Sequence, residues 1–180
     1  MAAQIILLRG INVGGKRKLP MADLKQLLTK LGCTDVRTYV QSGNAVLNHT
    51  DKPKALAQRI AAGIEKQFSL DVPTQVLIAK QLKGIIAKNP FIKENGIDVT
   101  KLHVTFLDRI PKADDVAKIK EGGYDNDRFI IDGNVAYLHC PVDYGHTKLN
   151  NTFFEKKLNS RATTRNWRTV NELLRMAEEG

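Results

Sequence analysis

Apolar positions along the first half of the chain follow two rhythms, and together they predict the order β-α-β-β-α-β. Ile5, Ile6, Leu7 and Leu8 form an unbroken apolar run, the mark of a short strand covered on both faces, over residues 4–9. Met21, Leu24, Leu27, Leu28 and Leu31 then fall on one face of a helix. Pro20 suits its first turn, where a missing N–H costs nothing, and Gly32 suits its left-handed C-terminal cap. Alternation predicts strands over 36–41 and 44–48, joined by a two-residue turn at Ser42-Gly43. Leu56, Ile60, Ile64 and Phe68 recur at every fourth residue and predict a second helix that ends before Asp71, with a strand over 72–78 after it. This is the ferredoxin-like order.

The second half repeats part of this pattern. A helix is expected over 79–88, stopped by Asn89-Pro90, then a strand over 102–107 and a helix from Pro111 to about Lys120. Asp132-Gly133 predicts a hairpin between strands 128–131 and 135–139. Gln41-Ser42-Gly43-Asn44 and Ile131-Asp132-Gly133-Asn134 both place Gly-Asn at a hairpin, which fits a degenerate duplication and equally fits a turn shared by chance. After Cys140 the pattern departs, and two helices are expected to end the chain. The first carries a capping box, Thr152 with Glu155. The second is expected over about 164–178, capped by Thr163 or Thr164, with Trp167, Val170, Leu174 and Ala177 facing inward. The expectation is an α+β fold, with a ferredoxin-like lobe over 1–79 and a second α+β lobe over 80–180 whose C-terminal helices pack on the first.

Composition narrows the class. Hydrophobic residues make up 42% and charged residues 26%, which fits a folded globular chain. Arg9 cuts the first apolar run too short for a signal peptide or a membrane span. Cys33 and Cys140 lack the spacing of a disulfide framework or a zinc site, so a reducing cytoplasm is expected. The net charge of +9 favours a phosphate-bearing small molecule or a nucleic acid as partner, and no membrane, metal or cofactor is expected. Arg9, Lys16, Arg17 and Lys18 crowd one loop. Lys148, Lys156, Lys157, Arg161, Arg165 and Arg168 crowd the region before and into the last helix.

The loop is the first candidate site. Gly10-Ile11-Asn12-Val13-Gly14-Gly15-Lys16 matches P-loop spacing through the lysine. Arg17 stands where a Mg²⁺-holding hydroxyl belongs, and the helix starts near Pro20 instead of at the Gly-Lys step. The reading that remains is a looser anion-binding loop, in which Gly10, Gly14 and Gly15 allow close backbone approach while Arg9, Lys16 and Arg17 supply charge. The second candidate is Arg161-Ala162-Thr163-Thr164-Arg165-Asn166-Trp167-Arg168. Cations at a helix N-terminus oppose its dipole, so arginines there point to a held anion, with Thr164, Arg165 and Asn166 as its cradle. The two segments are expected to share a groove.

Leu7-Leu8-Arg9-Gly10-Ile11-Asn12-Val13-Gly14-Gly15, then Gln41-Ser42-Gly43-Asn44, then Ala162-Thr163-Thr164-Arg165-Asn166-Trp167 resemble the bacterial family catalogued as domain of unknown function 1697. The resemblance covers nearly the whole chain and implies a two-lobed α+β fold with a ferredoxin-like N-terminal part. It implies no established activity. The motif positions are Arg9, Gly10, Asn12, Gly14, Gly15, Ser42, Gly43, Asn44, Thr164, Arg165, Asn166 and Trp167.

Other chemistry is thin. Ser42 lacks a nearby base, so it makes a poor nucleophile. His49, His103, His139 and His146 show no metal-ligand spacing, and His139, Cys140, Asp143 and His146 read as a strand end and a turn. Ser42 and Asn44 are placed beside the glycine loop as candidate anion contacts, although their turn is drawn toward the opposite end of the sheet. Three readings stay open: a binder of a nucleotide or nucleic acid, an enzyme on a phosphorylated substrate, and a dimerisation or scaffold module.

Overall fold

The computed structural model describes residues 3–15, 17–120 and 124–179. Lys16, a candidate anion contact, lies outside the described residues.

The first half is built as its periodicity predicts. β1 (Gln4–Leu8) leads through the glycine loop to α1 (Met21–Lys30), β2 (Thr34–Tyr39), β3 (Asn44–Asn48), α2 (Pro53–Phe68), β4 (Thr74–Ile78) and α3 (Ala79–Ala87). The sheet order is β2-β3-β1-β4, antiparallel throughout, with β1 in the centre. Every residue of β1 is buried, as its continuous apolar run requires. Ile6 and Leu8 from β1, Ala45 and Leu47 from β3, and Val76 from β4 meet the apolar stripes of α1 and α2 in one core.

The second half completes the same pattern. β5 (Leu102–Leu107), α4 (Ala113–Lys120), β6 (Arg128–Asp132), β7 (Val135–His139), α5 (Asn151–Leu158), β8 (Ala162–Asn166) and α6 (Trp167–Glu178) follow in order. Their sheet order is β6-β7-β5-β8, the same topology as the first. The expected departure after Cys140 is therefore corrected. One helix, a fourth strand and a final helix follow Cys140, and each half reads βαββαβα. The Gly-Asn match, however, is out of register. Leu8 N–H donates to the Gly43 carbonyl at 2.8 Å, whereas Leu107 N–H, its counterpart, donates to the Asn134 carbonyl at 2.9 Å. Gly43 thus occupies the place of Asn134, not of Gly133. Topology supports a duplication where the shared letters do not.

Three further expectations are corrected. β2 ends at Tyr39, because Val40 and Gly43 take positive φ values of 48° and 76°, so the connection is wider than two residues. α5 is capped by Asn150, whose Oδ1 accepts from Phe153 N–H at 3.0 Å, and Glu155 instead accepts from Ala162 N–H at 3.1 Å. The last helix starts at Trp167, and its buried positions include Val170, Leu173, Met176 and Ala177.

The core of the second sheet joins Leu107, Ala136, Leu138 and Ala162 to Ile119 of α4 and to Phe154 and Leu158 of α5. Before β5, Arg128 fastens the 91–94 turn. Its guanidinium donates twice to Glu94, at 3.1 and 2.7 Å, and lies 5.0 Å from the Phe91 ring centre. The chain divides into two compact units, Met1–Gly84 with Asn171–Gly180, and Ile85–Val170. Among the described residues no helix is long and apolar enough to cross a membrane.

Candidate functional site

In the first unit the glycine loop and the Gln41–Asn44 turn lie at the same end of the sheet. Leu7 pairs with Asn44, so the end of β1 meets the start of β3, which corrects the expected opposite placement. Asn12 ties them together. Its Nδ2 donates to the carbonyls of Leu19 and Gln41, at 2.8 and 2.7 Å, and its Oδ1 accepts from Leu19 N–H at 2.9 Å. Asn12 also holds φ at 54°, a left-handed value that asparagine tolerates better than most residues. Asn44 is fully buried and its Nδ2 donates to the Tyr39 carbonyl at 3.2 Å and to Ser42 Oγ at 3.0 Å. Both asparagines therefore spend their amide hydrogens on the chain itself. Gly10, Gly14 and Gly15 are exposed, and Arg9 and Arg17 are half-buried at the loop's base. Gly10, Gly14 and Gly15 all hold positive φ.

In the second unit the polar motif is a strand, not a helix start. β8 pairs with β5 through His103↔Asn166, Val104↔Arg165 and Thr105↔Thr164. Alternation then separates the three predicted anion contacts. Thr164 and Asn166 share one face, and Arg165 takes the other. Thr164 Oγ1 lies 2.7 Å from Thr105 Oγ1 and donates to Asn151 Oδ1 at 2.8 Å, fastening the start of α5 to the sheet. Arg165 is buried and donates to the Thr164 carbonyl at 2.9 Å. Burial pulls its guanidinium down to about 10, partly offset by Tyr144, which leaves it charged at neutral pH. Asn166 is the cap of α6, its Oδ1 accepting from Thr169 N–H at 2.8 Å. The expected caps, Thr163 and Thr164, are strand residues.

Asn166 also marks a cavity of about 400 Å³ that lies wholly in the second unit. Its wall combines the start of β5, the turn after β7 and the first residues of α6. Lys101 and His103 enter from the first, Asp143 and Tyr144 from the second, and Trp167 and Arg168 from the third. Lys101 Nζ donates to the Val142 carbonyl at 2.9 Å, which fastens that turn and leaves two of its three N–H groups for other partners. Asp143 is paired with His146 at 2.9 Å, and the Gly145 N–H and His146 together hold its carboxyl below the usual range. The first turn of α6 opens beside these side chains, with its Thr169 N–H taken by Asn166 Oδ1.

The His103 and Tyr144 rings stack on this wall, with centroids 4.5 Å apart and planes 21° from parallel. His103 Nδ1 is buried with no hydrogen-bond partner among the described residues. Burial lowers the His103 pKa from its ordinary 6.5, with smaller opposing pulls from the Lys101 backbone and Asp143. The folded chain thus binds fewer protons at this ring than the unfolded chain between that lowered pKa and 6.5, and stability falls as pH falls through this window. We expect His103→Phe, which keeps the stacked ring, to flatten the fall in Tm between pH 6.5 and the lowered value, read by thermal unfolding in a buffer series. An unchanged slope would count against a buried neutral His103.

Sequence reasoning named Asn166 and passed over Lys101, His103 and Tyr144, and it assigned Trp167 to the core, whereas the indole is half-buried and faces the cavity. A strand reading of 162–166 would have separated Arg165 from its neighbours by alternation alone. Cys140 also borders the cavity, but burial pushes its thiol up to about 11, which leaves it an inert neutral group. Among the described residues no group of three or more His, Cys, Asp or Glu is placed to hold a metal ion.

A family model described as protein of unknown function DUF1697 matches residues 1–137. Among solved structures, a conserved bacterial protein from Streptococcus pneumoniae is similar, with a TM-score of 0.75 and 22% identity over 98% of each chain. That likeness is one of fold. No curated protein matches the chain.

Proposed function

The chain belongs to the DUF1697 family of proteins of unknown function, and we propose that it binds a small phosphate-bearing ligand in the cavity of its second unit. One observation carries the reading. Two cationic side chains, Lys101 and Arg168, border the same hollow as the opening turn of a 12-residue helix, against one carboxylate, Asp143, among its described lining residues. The positive end of a helix dipole favours an anion, and cationic side chains beside it can add charge-assisted hydrogen bonds. A volume near 400 Å³ lies in the range of about 300–1,000 Å³ usual for small-ligand sites.

The experiment is calorimetric titration of the full chain with pyrophosphate and a panel of sugar and nucleoside phosphates. Lys101→Ala combined with Arg168→Ala should weaken binding roughly 10- to 100-fold, the worth of one or two hydrogen bonds to charged groups. Unchanged affinity in that double variant would exclude the cavity as the phosphate site.

A nucleic-acid ligand is the second reading, favoured by the net charge of +9 and by the exposed glycines and Lys18 of the first unit's loop. It makes a different demand: affinity for an oligonucleotide must drop steeply with salt through counterion release. Affinity that holds from low to moderate salt removes it.

A further inference from the structure

The cavity wall carries more aromatic surface than phosphate binding requires. Trp167 is the chain's single tryptophan. It sits at the first position of α6 and stays half-buried on the cavity wall, three residues before the fully buried Val170. The near-parallel His103 and Tyr144 rings, 4.5 Å from centroid to centroid, line the same hollow and add a second aromatic surface. A large ring is costly to leave beside water, and a flat face is the shape that another flat ring fits.

We infer that the phosphate-bearing ligand also carries a planar heteroaromatic ring, as a nucleoside monophosphate does, and that Trp167 and the stacked His103–Tyr144 pair hold that ring. The inference rests on the cavity being the phosphate site. A sugar phosphate would satisfy Lys101 and Arg168 but leave both ring surfaces unused. A nucleoside monophosphate uses them as well, its base stacking on the aromatic faces.

The test titrates the full chain with the four common nucleoside monophosphates and with ribose 5-phosphate, read by calorimetry and by the fluorescence of the lone Trp167. At least one nucleoside monophosphate should bind about tenfold or more tightly than ribose 5-phosphate and quench the tryptophan, as stacking on one aromatic face allows. Trp167→Ala should lose that preference, the nucleoside monophosphate falling to about the affinity of ribose 5-phosphate for the same variant, and Trp167→Phe should recover part of it. Circular dichroism and Tm of each variant show that the fold is intact. Equal affinity for all five compounds would overturn the ring inference and leave the phosphate reading standing. No binding of any of them would overturn both. A nucleotide preference that survives Trp167→Ala unchanged would overturn the role given to the indole.

Discussion

Replacing Gly43 with alanine should cost about 2–4 kcal/mol of stability, the combined worth of left-handed strain and overpacking. Gly43 holds φ at 76°, a region that alanine enters only with strain. A Cβ there would stand 2.7 Å from Leu8 Cβ and 2.9 Å from Ile11 Cγ1 and Cδ1. Leu8 and Ile11 are both fully buried in the core under the first sheet, so neither can step aside cheaply. The Gly43 carbonyl also accepts from Leu8 N–H at 2.8 Å, so a shift of the turn would break the link between β1 and the hairpin. Gly133→Ala is the control. It too has positive φ, 60°, but nothing lies within 4 Å of its added Cβ, and only the strain of about 1–2 kcal/mol should appear. Urea unfolding of both variants by circular dichroism separates the two terms. Equal losses would mean that the Leu8 and Ile11 contacts do not decide the matter.

The larger loss is expected at Phe154, where truncation to alanine should remove about 3–5 kcal/mol. Phe154 is fully buried at the centre of the second unit's core. Its ring meets Phe129 and Phe153 edge-on, with centroids 5.9 and 5.2 Å away. Deleting it forfeits the transfer energy of the ring and leaves a hole between α5 and the sheet that Leu107, Leu138 and Ala162 are too constrained to fill. Phe153, next in chain and only partly buried, should cost distinctly less on the same change. A Phe154→Ala variant that unfolds at the wild-type denaturant midpoint would refute the packing argument. If it fails to accumulate folded, Phe154→Leu supplies the measurable loss.

The first unit was legible because its elements announce themselves by period. The continuous run in β1 and the every-fourth-residue spacing of α2 leave few alternatives, and burial in the structure follows both. β8 was not legible for the opposite reason. Ala162-Thr163-Thr164-Arg165-Asn166 has almost no apolar content to show an alternation, and its polar groups are accommodated by partners far away in sequence. Thr164 is satisfied by Thr105 and Asn151, and nothing local to the motif forecasts either. Read as a helix start, the motif groups Arg165 with Asn166, whereas the pleat of β8 places the two on opposite faces. The cavity was hidden for a related reason. Lys101 and His103 stand far from Trp167 in sequence and reach it only through the β5–β8 pairing. Residue types that suit ligand contacts also suit the internal bracing of turns, and Asn12 and Asn44 serve as braces.

β8 passes into α6 with no intervening residue, Asn166 closing the strand and Trp167 opening the helix. Such a weld has no slack. One inserted residue would rotate the indole about 100° around the helix axis, so its direction is set by the register of the sheet behind it. The tryptophan behaves as a pointer fixed to a rigid plate, with its aim established as the chain folds.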